Sequence, residues 1–479
     1  MSAAIEFLNS LIWSQALIYL CLGGGLYFSI RTRFMQVRGF GEMIRLMLHG
    51  QKSYAGVSSF QALSMSLAGR VGTGSVAGVA TAITFGGPGA VFWMWMVAFL
   101  GASTAYVEST LAQIYKEKDD DGRYRGGPAY YIEKAMGQKW YAITFAVATV
   151  VANGMLLPGV QANSIAVAFE TAWGVPTFVS AALIVAVLGA IILGGVTRIA
   201  RFAEIVVPFM TIAYMVIAVV IMAVNIGQLP EVLALIFRSA FGVDAAFGAI
   251  VGLAIQWGVK RSVYSNEAGM GTGPHAAAAA EVSHPAKQGY VQAFSIYVDT
   301  LLVCSATAFM ILCTGKYNVE HPTDGSMIVN NIPGVESGAA YTQAAVEVVM
   351  PGFGASFVAL ALMFFAFATI VAQYYMAETN VQYITRNVHR PGILLILKLV
   401  IMAAVAYGAI RSASIAWALG DLGVGVMAWL NIIAILILQK PALLVLKDYE
   451  RQKREGRDPV FDPVPLGIRN ADFWSKPRN

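Results

Sequence analysis

The sequence predicts an all-α polytopic membrane protein of about eleven transmembrane helices, two of them broken at mid-membrane. Composition is the first observation behind this reading: of 479 residues, 57% are hydrophobic and 12% charged, whereas a soluble globular chain carries roughly 45–50% apolar and about 25% charged residues. The second is a succession of apolar runs near the length that spans a bilayer, with a mean hydropathy of +0.64. The third is a pair of glycine- and hydroxyl-rich interruptions inside two of those runs.

In chain order the runs fall near 8–30, 58–84, 90–115, 140–168, 177–195, 203–226, 246–281, 288–313, 352–378, 393–410 and 414–438. The N-terminal "MSAAIEFLNS" has no Lys or Arg, so the first run is expected to be retained as a span rather than removed as a signal. Lys and Arg set the orientation. They gather after the first run (Arg31, Arg33, Arg38, Arg45, Lys52), after the third (Lys116, Lys118, Arg123, Arg125, Lys134, Lys139), and then at Arg198 with Arg201, at Lys287, at Arg386 with Arg390, and beyond Lys440. The alternate loops are poor in both residues. An odd number of spans puts every basic loop on one face, with the N-terminus outside and the C-terminus in the cytoplasm. Residues 314–350 form the longest outside loop and suit an external lid. The tail from 441 to 479 is charged and Pro-interrupted, and is expected on the cytoplasmic surface or partly disordered. Cys21, Cys304 and Cys313 all sit in apolar runs, and their odd number argues against a disulfide framework. The net charge of +5 arises from loops between apolar runs and implies no nucleic acid.

The first interruption reads "LAGRVGTGSVAGVATAITFGG", residues 67–87. "GTGSVAG" looks like a dinucleotide fingerprint, but that reading needs a strand before it and a soluble βαβ unit, and neither is present. A small-residue helix contact accounts for Gly74 and Gly78, but not for Arg70, Thr73 and Ser75. A helix unwound at mid-membrane accounts for all of them, because bare backbone is tolerated at that depth only where it lines a site. The second interruption, "QWGVKRSVYSNEAGMGTGPHAAAAA" at 256–280, lies five runs later and repeats "GTG". Paired interruptions in corresponding halves point to an inverted repeat with a binding site between them. Half-helix N-termini suit a carboxylate. Half-helix C-termini and freed carbonyls suit a small cation such as Na⁺.

The chain resembles the bacterial alanine or glycine:cation symporters. The resemblance rests on "GGPGAVFWMWMVAFLG", "VGTGSVAGVATAI", "RGGPAYYIEKAMG", "PGVQANSIA", "GVKRSVYSNEAGMGTGPH" and "FAFATIVAQYYMAE", which occur in the family's order and cover the chain to about residue 440. It implies a leucine-transporter-like fold: one transporter domain over 1–440, with an extra helix at 8–30 and five-helix inverted repeats over 58–226 and 246–438. It implies Na⁺-coupled uptake of small neutral amino acids, chiefly alanine or glycine. By the same resemblance Thr73, Gly74 and Ser75 of the first broken helix, Ser265, Asn266, Ala268 and Gly269 of the second, and Gln161 bind substrate. Thr369, with backbone oxygens around Gly69 and Gly72, binds sodium. This chain departs from the family's usual pattern at Ser75 (usually Asn), at Ala368 (usually Ser) and at Gln373 (often Trp).

Three charged residues stand at membrane depth, where such groups are costly and face the protein interior. Glu267 is expected to pair with Lys260 or Arg261, and Arg70 to serve a gate or network. Asp299 is expected either to relay a proton or sodium or to partner a cation. His275, Trp93 and Trp95 read as packing residues. No enzyme constellation is present: there is no HExxH and no GK[ST] phosphate loop, so no cofactor is implied and an ion gradient must drive uphill transport. One Na⁺ crossing 100 mV releases about 2.3 kcal/mol, and a tenfold gradient adds about 1.4 kcal/mol. Together these sustain roughly several-hundred-fold accumulation of a zwitterion. A channel is the competing class, but channels repeat filter loops around an axis, whereas both breaks lie in one chain. Proton coupling, and glutamine or serine as substrate, are alternatives within the symporter reading.

Overall fold

Lipid offers backbone groups no partner, so apolar runs of this length fold as helices that satisfy their own N–H and C=O groups. The computed structural model describes residues 2–48, 57–119, 122–193, 195–243, 247–321, 325–386 and 392–475. Lys52 and Arg390, counted above for orientation, lie outside them. Among the described residues eight helices are long and apolar enough to cross a membrane: Ala4–Arg31, Gly89–Ile114, Lys139–Trp173, Arg201–Val224, Pro285–Cys313, Gly354–Thr385, Gly392–Ala409 and Ala413–Arg454. Thr177–Ile192 is a shorter apolar helix of 16 residues. The two runs read as broken are each a pair of helical pieces, so the eleven expected runs resolve into eight long helices, one short one and two interrupted pairs.

The first interrupted helix starts at a neutral cap. Ser58 Oγ accepts from Gln61 N at 3.1 Å, and Gln61 Oε1 accepts from Ser58 N at 3.0 Å, a reciprocal capping box. Helix Ser59–Arg70 ends at Val71, whose φ of −76° and ψ of 89° are not helical. The chain restarts as a wide turn over Gly74–Gly78 and runs on as Val79–Gly86. The second interrupted helix, Val251–Asn266, ends because Glu267 takes a left-handed φ of +60°. Gly269 and Gly271 follow at +82° and +86°, conformations that glycine adopts without steric cost. Helix then resumes as Gly273–Ala279.

The last long helix separates the two faces of the molecule. Near its start, Asp421 O accepts from Trp13 Nε1 at 2.8 Å. Near its end, Glu450 meets Arg38 at 2.5 Å. The basic loops assemble at the second end: Lys287 pairs with Asp458 at 2.9 Å, Lys134 with Glu117 and Asp472 at 2.9 Å, and Arg386 with Glu133 at 2.5 Å. Two expectations for the tail change here. The helix runs through Lys440 and Pro441 to Arg454, so no boundary falls at 440. The remainder to Ser475 is ordered: Phe461 N donates to Ser283 O at 3.0 Å, and Trp474 Nε1 to Gln113 O at 2.9 Å. Apolar anchors such as Phe461 and Ala471, both buried, outweigh the tail's charge.

At the opposite face, residues 314–350 form a small antiparallel hairpin, Asn318–Glu320 against Met327–Asn330, followed by helix Ala339–Val349. These elements border a cavity of about 640 Å³ whose other walls include Trp257, Lys260, Trp417 and Asp421.

Candidate functional site

The two breaks meet in the core of the molecule, and the small residues of the first break permit the contact. A Cβ on Gly74 would stand 2.9 Å from Ser265 Cα and 3.1 Å from the Tyr264 ring. Ser75 and Ser265, both buried, lie 3.1 Å apart through their hydroxyls. Both converge on Asp299: Ser75 Oγ donates to Asp299 Oδ1 at 2.7 Å, and Ser265 Oγ lies 3.0 Å from both carboxylate oxygens. Thr300 Oγ1 adds a contact to Oδ2 at 2.8 Å. Asp299 therefore sits among hydroxyls, and no ion pair to it occurs among the described residues. The expectation of a partner cation is replaced by a carboxylate solvated by three side chains, each from a different helical segment or turn. Both Ser75 and Asp299 lie in widened helical turns, Gly74–Gly78 and Tyr297–Cys304, a distortion frequent at functional sites.

On its other side the first break is held by Gln161 and Thr369. Gln161 Oε1 accepts from Thr73 N at 3.1 Å, so this side chain caps the restarting helix. Thr369 Oγ1 lies 2.8 Å from Ala68 O and 3.0 Å from Phe365 O. Gly72 packs so closely on it that a Cβ there would collide with Thr369 Oγ1. Two carbonyl oxygens and a hydroxyl thus converge where helix Ser59–Arg70 nears its end. The carbonyl that reaches Thr369 is that of Ala68, and the neighbouring Gly69 has its Cα toward the Glu267 carboxylate, with a Cβ there 3.2 Å from Oε2. Thr73 Oγ1 is buried with no hydrogen-bond partner among the described residues.

The second break is pinned from behind. Asn266 Oδ1 accepts from Ala268 N at 3.0 Å, while its Nδ2 donates to Ser262 and Thr300 hydroxyls at 2.9 and 3.1 Å. Gly269 N donates to Glu108 Oε1 at 3.3 Å, and Asn431 Nδ2 donates to Glu108 Oε2 at 2.7 Å and to Gly269 O at 2.9 Å. Tyr131 Oη donates in turn to Asn431 Oδ1. Ala268 lies against Gly101, where an added Cβ would come within 2.8 Å. Ser265 is thus brought to the first break, while Ala268 and Gly269 face helix Gly89–Ile114 and the last helix.

The expected pairing of Glu267 with Lys260 or Arg261 does not occur. Both cations lie on Asp421, at 2.7 and 3.0 Å, because the helix holding them ends before Glu267 and turns its carboxylate the other way. Arg70 is buried, and its Nη1 lies 3.3 Å from Gln292 O and 3.2 Å from Gln292 Oε1, and also bonds Ser295 Oγ. Arg261 stacks on Trp417 at 4.3 Å, and Trp417 packs on Tyr264 at 4.9 Å. These side chains lie between the 640 Å³ cavity and Gly74. Sequence reasoning passed over Glu108, Asn431, Thr300 and Asp421. Glu108 and Asn431 carried the signal used elsewhere, an isolated polar group deep in an apolar run.

Interrupted helices meeting inside a polytopic helical chain define a membrane transporter, not a soluble protein with an anchor. The chain belongs to the sodium:alanine symporter family, whose model matches residues 1–463. A Bacillus subtilis relative, provisionally named a sodium/proton-dependent alanine carrier, is 61% identical over 476 residues, 99% of this chain and 98% of its own. A sodium/proton-dependent alanine carrier of Bacillus sp. PS3 is 55% identical, covering 90% of this chain and 97% of its own. A second B. subtilis relative, provisionally named a sodium/glutamine symporter, is 42% identical over 95% of this chain and 91% of its own.

Proposed function

We propose that this chain imports a small neutral amino acid, chiefly alanine or glycine, together with Na⁺ by alternating access. The observation that carries the reading is the meeting of the two breaks, Thr73–Ser75 against Ser265, beside the oxygen cluster of Thr369 and Ala68. The restarting turn at Thr73–Ser75, just past the gap at Val71 and Gly72, binds the substrate carboxylate, and Gln161 fixes that turn. Asp299, seated behind Ser75 and Ser265, orients their hydroxyls toward the substrate's polar end. Thr369 Oγ1, Ala68 O and Phe365 O supply oxygen ligands to sodium, a hard cation. Asn266, Ala268 and Gly269 shape the second break, which Glu108 and Asn431 anchor. Glu267 and Arg70 move with the half-helices they border, and Arg261, Asp421, Trp417 and Tyr264 close the route from the outer cavity.

The repeats at 58–226 and 246–438 rock against each other around this site. In this reading the basic face and the C-terminus lie in the cytoplasm and the N-terminus outside, in a bacterial inner membrane, which the clustering of Lys and Arg in alternate loops supports. Names of two relatives carry both ions, and Asp299, with no cation at ion-pair distance among the described residues, favours proton coupling as the second reading. The test is uptake of a labelled amino-acid panel into proteoliposomes, with Na⁺ and H⁺ gradients imposed separately. Sodium-driven alanine or glycine uptake that persists with the proton gradient collapsed is the expected result. Uptake driven by the proton gradient alone would move the coupling to Asp299, and conductance without saturable counterflow would overturn the symporter reading.

A further inference from the structure

The basic face is mostly self-neutralised. Arg125 pairs with Asp119 and Glu378, Lys134 with Glu117 and Asp472, Lys287 with Asp458, Arg45 with Glu42, and Arg386 with Glu133. One place on it is different. A cleft of about 1100 Å³ opens where the first long helix ends at Arg31 and the last long helix passes Ile437–Arg454. The only carboxylate lining it among the described residues, Glu450, is already held by Arg38 at 2.5 Å. Five further lining cations, Arg31, Arg33, Lys440, Lys447 and Arg454, have no carboxylate at ion-pair distance among the described residues. The cleft's membrane side is apolar and open: Ile30 is 57% and Ile437 62% exposed. Tyr27, which accepts from Arg31 Nη1 at 2.8 Å and from Gln439 Nε2 at 2.9 Å, stands between the apolar and the cationic parts.

We propose that this cleft binds one anionic glycerophospholipid, its phosphate among Arg31, Arg33, Lys440, Lys447 and Arg454 and its acyl chains along Ile30 and Ile437. A free phosphate or a nucleotide would use the cations but make no use of the exposed isoleucines. A zwitterionic lipid would use the isoleucines but leave most of the five charges uncompensated. A lipid with net negative charge satisfies both, and basic pockets between helices at the cytoplasmic membrane boundary are known to take such headgroups. The site lies on the outer surface of the bundle, away from both breaks, and does not depend on the transport reading.

The experiment uses the purified full-length protein in detergent, with lipid adducts counted by native mass spectrometry and melting followed on the same samples. Cardiolipin and phosphatidylglycerol are expected to bind and raise the melting temperature, while phosphatidylcholine, glycerol 3-phosphate and inorganic phosphate do neither. The triple variant Lys440→Gln, Lys447→Gln, Arg454→Gln is expected to bind the anionic lipids on the order of a hundredfold more weakly, with its melting temperature in phosphatidylcholine unchanged. Lys118→Gln with Arg469→Gln, on the same face but off the cleft, is expected to bind as the parent does, and so is Lys440→Arg with Lys447→Arg. Equal stabilisation by phosphatidylcholine or by inorganic phosphate would overturn the proposal, as would undiminished lipid binding by the triple variant.

Discussion

The two broken helices differ in what holds them open. The first break spans only Val71 and Gly72, carries no carboxylate, and rests on neutral groups: the Gln161 amide, the Thr369 hydroxyl and, at the start of the helix before it, the Ser58–Gln61 cap. The second runs from Glu267 to Thr272 through three left-handed residues, and Glu108 and Asn431 tie it to two other helices. Both breaks keep buried polar atoms with no hydrogen-bond partner among the described residues, Thr73 Oγ1 at the shorter and Glu267 Oε2 and Thr272 Oγ1 in the longer. In the longer break, Asn266 and Gly269 are spent on internal bonds. The difference teaches that the first break is a short gap held by neutral side chains, whereas the second is a braced counter-surface whose contribution at the meeting point is Ser265.

Asp299 joins the two, so its removal has the largest expected effect. Asp299→Ala leaves the Ser75, Ser265 and Thr300 hydroxyls without their charged acceptor. Hydrogen bonds to charged groups are worth about 1.5–3 kcal/mol each, so uptake at low substrate is expected to fall by roughly a hundredfold. Asp299→Asn keeps the shape and separates geometry from charge. If the carboxylate only orients hydroxyls, this variant recovers much of the loss and keeps the parent's pH profile; a flattened pH profile instead identifies a proton carrier.

Much of this was legible in the sequence, and the gaps follow one pattern. The breaks were readable because glycine and hydroxyl residues are anomalous in apolar runs, and depth follows from position along a run. Rotation about a helix axis does not. That Ser75 and Asp299, 224 positions apart, share a hydrogen bond depends on which way each widened turn faces. The error at Glu267 has the same origin. Six positions after Arg261, it reads as a neighbour on a continuous helix, but its left-handed backbone ends the helix and points the carboxylate toward Gly69. Asp421 was missed as the true partner because it lies 160 positions from Arg261.

Glu108→Ala tests whether the second break is the rigid one. It frees the Gly269 amide and one bond of Asn431, and is expected to reduce uptake about tenfold, with Glu108→Gln closer to the parent. A wild-type rate for Glu108→Ala would show that the second break needs no anchor. Thr369→Ala acts on the first break alone. It is expected to raise the sodium concentration for half-maximal uptake about fivefold to tenfold, with substrate affinity at saturating sodium nearly intact. Unchanged sodium dependence would remove Thr369 from the ion site.

The smallest effect concerns the ends of the two helices. Just beyond the second broken helix, burial holds the His284 imidazole below its ordinary value of about 6.5, and its hydrogen bond to Asp448 at 3.2 Å opposes this only in part. The unfolded chain takes up a proton that the folded chain resists, so stability present above about pH 6.5 is lost as the pH falls below it. The neutral cap of the first helix has no such dependence. Melting curves between pH 7.5 and 5.5, window values of about one unit either side of that pKa, are expected to fall for the parent and to flatten for His284→Gln. An equal slope in both would place the sensitivity elsewhere.

The central claim, that the first break binds ligand instead of merely packing helices, is tested most directly at Gly74. Gly74→Val puts a branched side chain where even a Cβ would reach 2.9 Å from Ser265 Cα, while valine itself is well tolerated in an apolar segment. The measurement is the rise in melting temperature of the purified variant on adding alanine and Na⁺, set beside its melting temperature without ligand. The account predicts a protein that melts lower, because the side chain meets the Ser265 backbone, and that gains no stabilisation from the ligands. A variant that melts lower yet still gains the full wild-type stabilisation would show that this glycine packs two helices and binds nothing.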